Sequence, residues 1–204
     1  MKKIAAPVLA ILIILVWLLW PKPTPLYPQN GTSIVVFGDS LAAGKGAGDG
    51  NDIAAQLSRA IDRPVINLGV SGDTTADGLE RLDELLATDP RVVIIILGGN
   101  DTLKRIPIEQ TFANLEKLII MIQRTGAAVI LVGEPGGLYG SRYADEYERL
   151  AETYRTFYVP NILSGLIGYP EYMSDYVHPN DAGYKIASEK ILPVLKEALR
   201  NQNN

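Results

Sequence analysis

Three residues could together catalyse acyl transfer, although they lie far apart in the chain. Ser40 follows the apolar run Ile34–Phe37 directly after Gly38-Asp39, and the single histidine, His178, stands three residues after Asp175. Acyl transfer needs a nucleophile, a base that can take its proton and an acid that orients the base. Each residue also has an ordinary interpretation, because aspartate and serine often cap helices and a histidine beside proline can belong to a surface turn. The pattern predicts a nucleophilic site only if the fold brings the three together.

Two further residues could stabilise the negative charge that develops on the substrate oxygen. Gly72 lies in the turn Ser71–Thr74, and Asn100 lies in the turn Gly98–Asp101. The backbone N–H groups of Ser40 and Gly72 and the side-chain amide of Asn100 are suitable donors for such an oxyanion. Alternatively, Gly72 permits a tight turn and Asn100 caps a helix. Convergence of the donors at one place would favour the catalytic interpretation.

The elements that must position these residues alternate along the chain. Short apolar runs closed by glycine predict buried strands, and residues with helical periodicity predict helices between them. Parallel strands place the turns at their carboxyl ends on one edge of the sheet, so Ser40, Gly72 and Asn100 can converge there. The pattern predicts one domain with a parallel sheet and helices on both faces. The predicted strands are Ile34–Phe37, Val65–Leu68, Val92–Leu97, Ala128–Val132 and Tyr158–Pro160, and the predicted helices are Ile53–Ile61, one around Leu79–Leu86, Ile108–Thr125, Tyr143–Phe157 and Ala182–Arg200.

Composition excludes several other classes of protein. The chain of 204 residues has no cysteine and one histidine, which excludes disulfides, thiolate metal sites and histidine-rich metal sites. Its net charge is −4, and an acidic domain without a basic stripe argues against a nucleic-acid partner. The glycine-rich run from Gly38 to Gly48 has neither the spacing of a phosphate loop nor that of a dinucleotide fingerprint. We therefore predict no metal and no cofactor.

The first 31 residues differ in composition from the rest. Lys2 and Lys3 precede an apolar run from Ile4 to Trp20, which is near the shortest length that spans a bilayer. The run ends in Trp-Pro-Lys-Pro, which lacks the small residues of a signal-peptidase site. We expect residues 1–20 to form an uncleaved transmembrane signal anchor, residues 21–31 a proline-rich linker, and residues 32–204 the catalytic domain on the extracytoplasmic side.

Four short motifs together resemble those of the SGNH or GDSL hydrolases. They are Gly38-Asp39-Ser40-Leu41, Ser71-Gly72-Asp73-Thr74, Gly98-Gly99-Asn100-Asp101 and Asp175-Tyr176-Val177-His178-Pro179. Their order and spacing are most similar to the bacterial thioesterase I, lysophospholipase and arylesterase branch. The resemblance implies a three-layer α/β/α flavodoxin-like domain with a five-stranded parallel sheet. It also implies a catalytic triad of Ser40, Asp175 and His178 and an oxyanion hole of Ser40, Gly72 and Asn100.

The substrate is predicted from the loops that follow the strands. Leu103, Ile106 and Leu138 would form a small apolar wall suited to an acyl chain, and Tyr176 would narrow the cleft beside His178. These features favour an esterase that cleaves acyl esters, thioesters or lysophospholipids. Two alternatives remain, a carbohydrate esterase that removes acetyl groups from envelope glycans and a catalytically silent envelope-binding module. The oligomeric state is not predicted.

Overall fold

The domain is built on a parallel sheet of five strands. A computed structural model describes residues 31–134 and 140–200. The strands are β1 (Ser33–Gly38), β2 (Ile66–Gly69), β3 (Pro90–Ile96), β4 (Ala128–Val132) and β5 (Phe157–Val159). Their spatial order is β2-β1-β3-β4-β5, and every neighbouring pair is parallel. This is the strand order of flavodoxin-like folds, in which ligands bind beyond the carboxyl ends of the strands.

Helices follow the strands, as the sequence pattern predicts, although the helix predicted over Tyr143–Phe157 ends at Tyr154 because Phe157 belongs to β5. The helices are α1 (Ser40–Ala43), α2 (Ile53–Ile61), α3 (Thr75–Glu80), α4 (Leu82–Leu86), α5 (Gly99–Leu103), α6 (Ile108–Arg124), α7 (Gly140–Tyr154) and α8 (Asp181–Arg200). The single helix predicted around Leu79–Leu86 is two short helices that meet at Arg81. The guanidinium of Arg81 is bonded to Asp73 and to strand carbonyls at the sheet edge, and this attachment holds the break in place.

The sheet separates two hydrophobic cores. One face carries Val36 and Ile94 and packs against α2 and α8, whereas the other carries Phe37 and Ile95 and packs against α6 and α7. Both sets of strand residues are fully buried. Because both faces of the sheet are covered, the strands have continuous apolar sequences. The predicted α/β domain with a five-stranded parallel sheet is therefore confirmed.

The predicted signal anchor, residues 1–20, and most of the predicted linker lie outside the described residues. Among the helices within residues 31–134 and 140–200, none is long and apolar enough to cross a bilayer.

Candidate active site

Ser40 lies at the first turn after β1, on the carboxyl edge of the sheet. The Asp39 side chain accepts a hydrogen bond from the Leu41 N–H at 3.0 Å and so caps α1, while the Asp39 N–H donates to the carbonyl oxygen of Ile96 at 3.0 Å. Gly38 is required at this close approach, because a Cβ there would lie 1.9 Å from that same Ile96 oxygen. The short motif Gly-Asp-Ser thus fixes both the turn and the direction of the serine.

The three candidate catalytic side chains converge in the fold. The Ser40 Oγ lies 3.0 Å from the His178 Nε2, and the His178 Nδ1 lies 2.7 Å from the Asp175 Oδ2. His178 is buried, whereas the Asp175 side chain is 47 % exposed. The spacing permits the serine to pass its proton to the imidazole while the carboxylate orients the ring.

Hydrogen bonds stabilise the ionised form of Asp175, whose side chain is also half exposed to solvent. Its Oδ1 accepts from the backbone N–H groups of Val177 at 2.9 Å and His178 at 2.8 Å. The bond from the Val177 N–H, followed by those from the His178 side chain and backbone, lowers the pKa of Asp175 to about 2. The carboxylate is therefore charged under all ordinary conditions and faces the imidazole as an acceptor.

The segment that carries His178 is folded back on itself. The His178 carbonyl oxygen accepts hydrogen bonds from the Ser174 N–H at 2.9 Å and from the Ser174 Oγ at 3.0 Å. Met173 and Pro179 form an isolated antiparallel bridge just outside this pair. The histidine is thus held by its own loop before it contacts Ser40.

The three predicted oxyanion donors lie around the same place, but they are not equally available. Within the described residues, the N–H groups of Ser40 and Gly72 have no protein acceptor. Gly72 has a φ of 95°, which presents its N–H in a conformation that favours glycine. The Asn100 Nδ2 already donates to the Asp73 carbonyl oxygen at 2.9 Å and to the Asp39 Oδ2 at 3.3 Å. The amide is oriented by these bonds, and one must weaken when a substrate oxygen arrives.

The turns that carry Gly72 and Asn100 are stabilised by residues to which the sequence analysis gave no role. The Asp101 carboxylate, fully buried, accepts from the Thr75 N–H at 2.9 Å and from the Thr75 Oγ1 at 2.6 Å. The Arg81 guanidinium pairs with Asp73 at 2.6 Å and lies 4.8 Å from the centre of the Phe37 ring. Asp73 and Asp101 belong to the two turn motifs, so their buried polar character could have been suspected from their place beside Gly72 and Asn100.

Two buried carboxyl groups lie behind the donors. Burial raises the pKa of Asp39 to about 7, against the opposing effect of the Leu41 N–H bond. Burial, followed by the charge of Asp39, raises the pKa of Glu134 well above its usual range. No sequence motif had singled out Glu134.

A cavity of about 480 Å³ opens beside Ser40. Among the predicted substrate residues that the structure describes, Leu103, Ile106 and Tyr176, only Leu103 lines it. The described residues that line it are Asp39, Ser40, Leu41, Lys45, Ser71, Gly72, Gly99, Asn100, Thr102, Leu103, Glu134, Leu163, Ile167, Val177 and His178.

The other predicted substrate residues lie elsewhere. Ile106 lines a separate depression with Pro107 and Tyr143, because the turn after α5 directs it away from Ser40. Tyr176 is 97 % exposed and points to solvent, and Val177 lines the cavity in its place. Leu138 lies outside the described residues. Leu163 and Ile167, which the sequence reasoning missed, form much of the apolar side because the segment after β5 folds over the site.

A parallel α/β sheet with serine, histidine and carboxylate at its carboxyl edge defines a site of the serine-hydrolase kind. Residues 36–186 match the model of the GDSL-like lipase/acylhydrolase family, and the chain belongs to that family. The resemblance seen in the motifs is therefore confirmed.

Named relatives and a solved structure agree with this membership. Esterase TesA of Pseudomonas aeruginosa is 35% identical over 82% of this chain and 89% of its own length. An arylesterase of Vibrio mimicus is 37% identical over 74% and 82%, and thioesterase 1/protease 1/lysophospholipase L1 of Escherichia coli is 29% identical over 72% and 76%. A crystal structure of TesA superposes with a TM-score of 0.77 at 32% identity, covering 82% of this chain and 99% of that one. The chain is an ester hydrolase of this family.

Proposed function

We propose that the domain is a serine esterase that hydrolyses acyl esters or thioesters with Ser40 as its nucleophile. The contact that carries the proposal is the continuous pair of bonds from the Ser40 Oγ to His178 and from His178 to Asp175, at 3.0 and 2.7 Å. The pair faces a cavity large enough for a small acyl group and its leaving group. The names of the relatives, esterase, arylesterase and thioesterase/lysophospholipase, support the same class of substrate.

In the proposed reaction the three side chains act in turn. The Ser40 oxygen attacks the ester carbonyl as the His178 Nε2 takes its proton, and Asp175 stabilises the imidazolium that forms. The negative carbonyl oxygen is held by the N–H groups of Ser40 and Gly72 and by the Asn100 amide. His178 then gives the proton to the departing alcohol or thiol, leaving Ser40 acylated. A water molecule then attacks the acyl carbonyl as His178 takes its proton, the bond to Ser40 breaks, and His178 returns the proton to the Ser40 oxygen as the acid leaves.

The cavity wall favours an acyl chain over a sugar ring. Its apolar members are Leu41, Leu103, Leu163, Ile167 and Val177. Burying one methylene against such a wall stabilises the complex by at most about 0.8 kcal/mol, so a few carbons are enough to set a preference. We therefore expect short to medium acyl chains to be preferred over acetyl.

The test uses p-nitrophenyl esters whose acyl chains increase from two to about twelve carbons. We expect kcat/KM to rise from acetyl to short or medium chains and Ser40→Ala to lose turnover by orders of magnitude. Ser71→Ala is the matched control, because Ser71 lines the same cavity and forms no hydrogen bond with His178 within the described residues. Near-native turnover by Ser40→Ala would overturn the proposal. A sharp optimum at acetyl, together with acetate release from acetylated glycans, would replace it with the carbohydrate esterase.

The location of the enzyme is a separate proposal. We propose that residues 1–20 anchor the protein in a membrane with the domain on the extracytoplasmic side, since Lys2 and Lys3 precede 17 residues, Ile4–Trp20, in which only Pro7 is not apolar or small. Protein expressed at full length is expected to stay with membranes in alkaline carbonate and to keep its N-terminus. Release by carbonate, or a mature N-terminus beyond Pro21, would contradict the anchor.

A further inference from the structure

Glu134 is a buried acid in the active-site cavity to which the reaction outlined above gives no role. It lies two residues beyond β4, at the same edge of the sheet as Ser40 and Asn100. Only 4 % of the residue is exposed, and it lines the cavity. A carboxyl group this deeply buried is destabilising unless its environment compensates for the loss of water. Its contacts therefore indicate what it does.

One oxygen of Glu134 holds the turn that carries Asn100. The Glu134 Oε2 accepts a hydrogen bond from the Gly99 N–H at 2.7 Å. Gly99 directly precedes Asn100, so the bond fixes the backbone from which the oxyanion amide projects. A Cβ on Gly99 would lie 2.6 Å from that oxygen and 3.6 Å from the Asp39 Oδ2. The carboxyl groups of Glu134 and Asp39 therefore lie on the same side of Gly99.

The other oxygen of Glu134, Oε1, is buried, and no described N–H or O–H group donates to it. A carboxylate oxygen without a donor is unfavourable in the interior, whereas a protonated one supplies its own hydrogen. The Asp39 carboxyl group lies on the same side of Gly99, close enough for its charge to raise the pKa of Glu134. Two neighbouring buried acids do not readily ionise together, so the pair is expected to retain a proton.

The groups around the pair do not neutralise it with positive charge. Asp101 and Asp73 add negative charge, although Asp73 is paired with Arg81. The Tyr147 hydroxyl, also close to both acids, donates to the Leu97 carbonyl oxygen at 2.6 Å. Tyr184 is a further neutral neighbour, and Lys45 and His178 line the cavity in front of the pair. A proton on the pair is thus the direct way to reduce its charge.

The charge of Asp39 bears on catalysis through Asn100, whose Nδ2 donates to the Asp39 Oδ2 at 3.3 Å. A fully ionised pair would draw that N–H toward Asp39 and would place negative charge beside the oxyanion. A shared proton weakens both effects. We propose that Glu134 is a positioning residue of the oxyanion site, which fixes the Gly99–Asn100 turn and shares a proton with Asp39 so that the Asn100 amide can turn to the substrate. The inference depends on the proposed esterase activity.

The test compares Glu134→Gln and Glu134→Leu with the wild type across pH, using an aryl ester. Wild-type kcat is expected to fall as the pH rises above neutrality and the pair loses its last proton, because burial raises the pKa values of both acids. Gln keeps a bond to the Gly99 N–H but cannot ionise, so the pair can no longer carry two negative charges and this alkaline fall should disappear. Leu removes the bond, and kcat should drop by about 10- to 100-fold with little change in KM.

The controls separate this inference from the proposed function. Glu148→Gln changes an exposed acid on α7 and should behave as the wild type. Thermal unfolding of each variant shows whether it is folded, and Glu134→Gln remains informative if Glu134→Leu is not. A wild-type alkaline fall that persists in Glu134→Gln, or a Glu134→Leu effect confined to KM, would overturn the positioning role. Absence of turnover in the wild type would instead overturn the esterase.

Discussion

Two aspartates lie on either side of the candidate nucleophile Ser40, and their environments are opposite. Asp175 is half exposed and accepts three hydrogen bonds, which lower its pKa to about 2, whereas Asp39 is 2 % exposed and its pKa is raised to about 7 by burial. Asp175 is therefore charged beside His178, whereas Asp39, near the oxyanion donors, is proposed to share a proton with Glu134. The contrast teaches that burial raises the pKa of one acid while hydrogen-bond donors at an exposed position lower that of the other, which makes Asp175 the charged partner of the base.

The two regions should differ most in activity when each aspartate is exchanged for asparagine. Asp175→Asn removes the charge that orients and stabilises the imidazolium, and kcat should fall by about 10⁴-fold, as in comparable triads. Asp39→Asn keeps an acceptor for the Leu41 N–H and should reduce kcat far less. Steady-state kinetics of both variants with one aryl ester measures the difference. Equal losses would show that the two regions do not have separate roles.

A change at Asn100 examines the oxyanion side alone. Asn100→Ala removes one donor of the three, and we expect kcat to fall by about 10²- to 10³-fold while KM changes little. Asp39→Asn in the same background should add little, because Asp39 acts through Asn100. A rise in KM at unchanged kcat would instead make Asn100 a residue that binds the ground state.

The smallest expected effect is on stability, and its sign differs between the two regions. The pKa of Asp175 is lowered, so its contribution is present above about pH 4 and is lost as the pH falls toward 2. The pKa of Asp39 is raised, so stability is lost as the pH rises from about 4 through 7. The Tm of Asp39→Asn should therefore rise relative to that of the wild type as the pH increases over that window. A constant difference in Tm would show that Asp39 does not change its charge there.

Much of the fold and of the chemistry was predictable from local sequence. Helix α2 begins and ends at the predicted residues, Ile53 and Ile61, because a capping aspartate precedes it and its apolar face is regular. The convergence of the candidate catalytic residues was predictable for a similar reason, since Ser40 and Asn100 stand in short turn motifs that follow strands and His178 stands in a motif of its own. In such turns the residue type and the backbone geometry are determined together.

The parts that escaped prediction depend on contacts between distant segments. Ile106 was expected in the cavity, but after the turn that follows α5 it lines a separate depression. Glu134 was not expected there, but its position just after β4 places it in the cavity. Leu163 and Ile167 line the site only because residues after β5 fold over it. Sequence periodicity reports which face of an element is apolar, and it does not report which loop meets which other loop.

The most direct measurement of the central claim maps the adduct that a fluorophosphonate forms with the protein. Intact mass spectrometry and peptide mapping should show one modification, on Ser40, that is absent from Ser40→Ala and formed much more slowly by Asp175→Asn. Ser71 lies in the same cavity and provides an internal comparison. Modification of Ser71 or another serine, with Ser40 unmodified, would contradict the assignment of Ser40, His178 and Asp175 as the catalytic group.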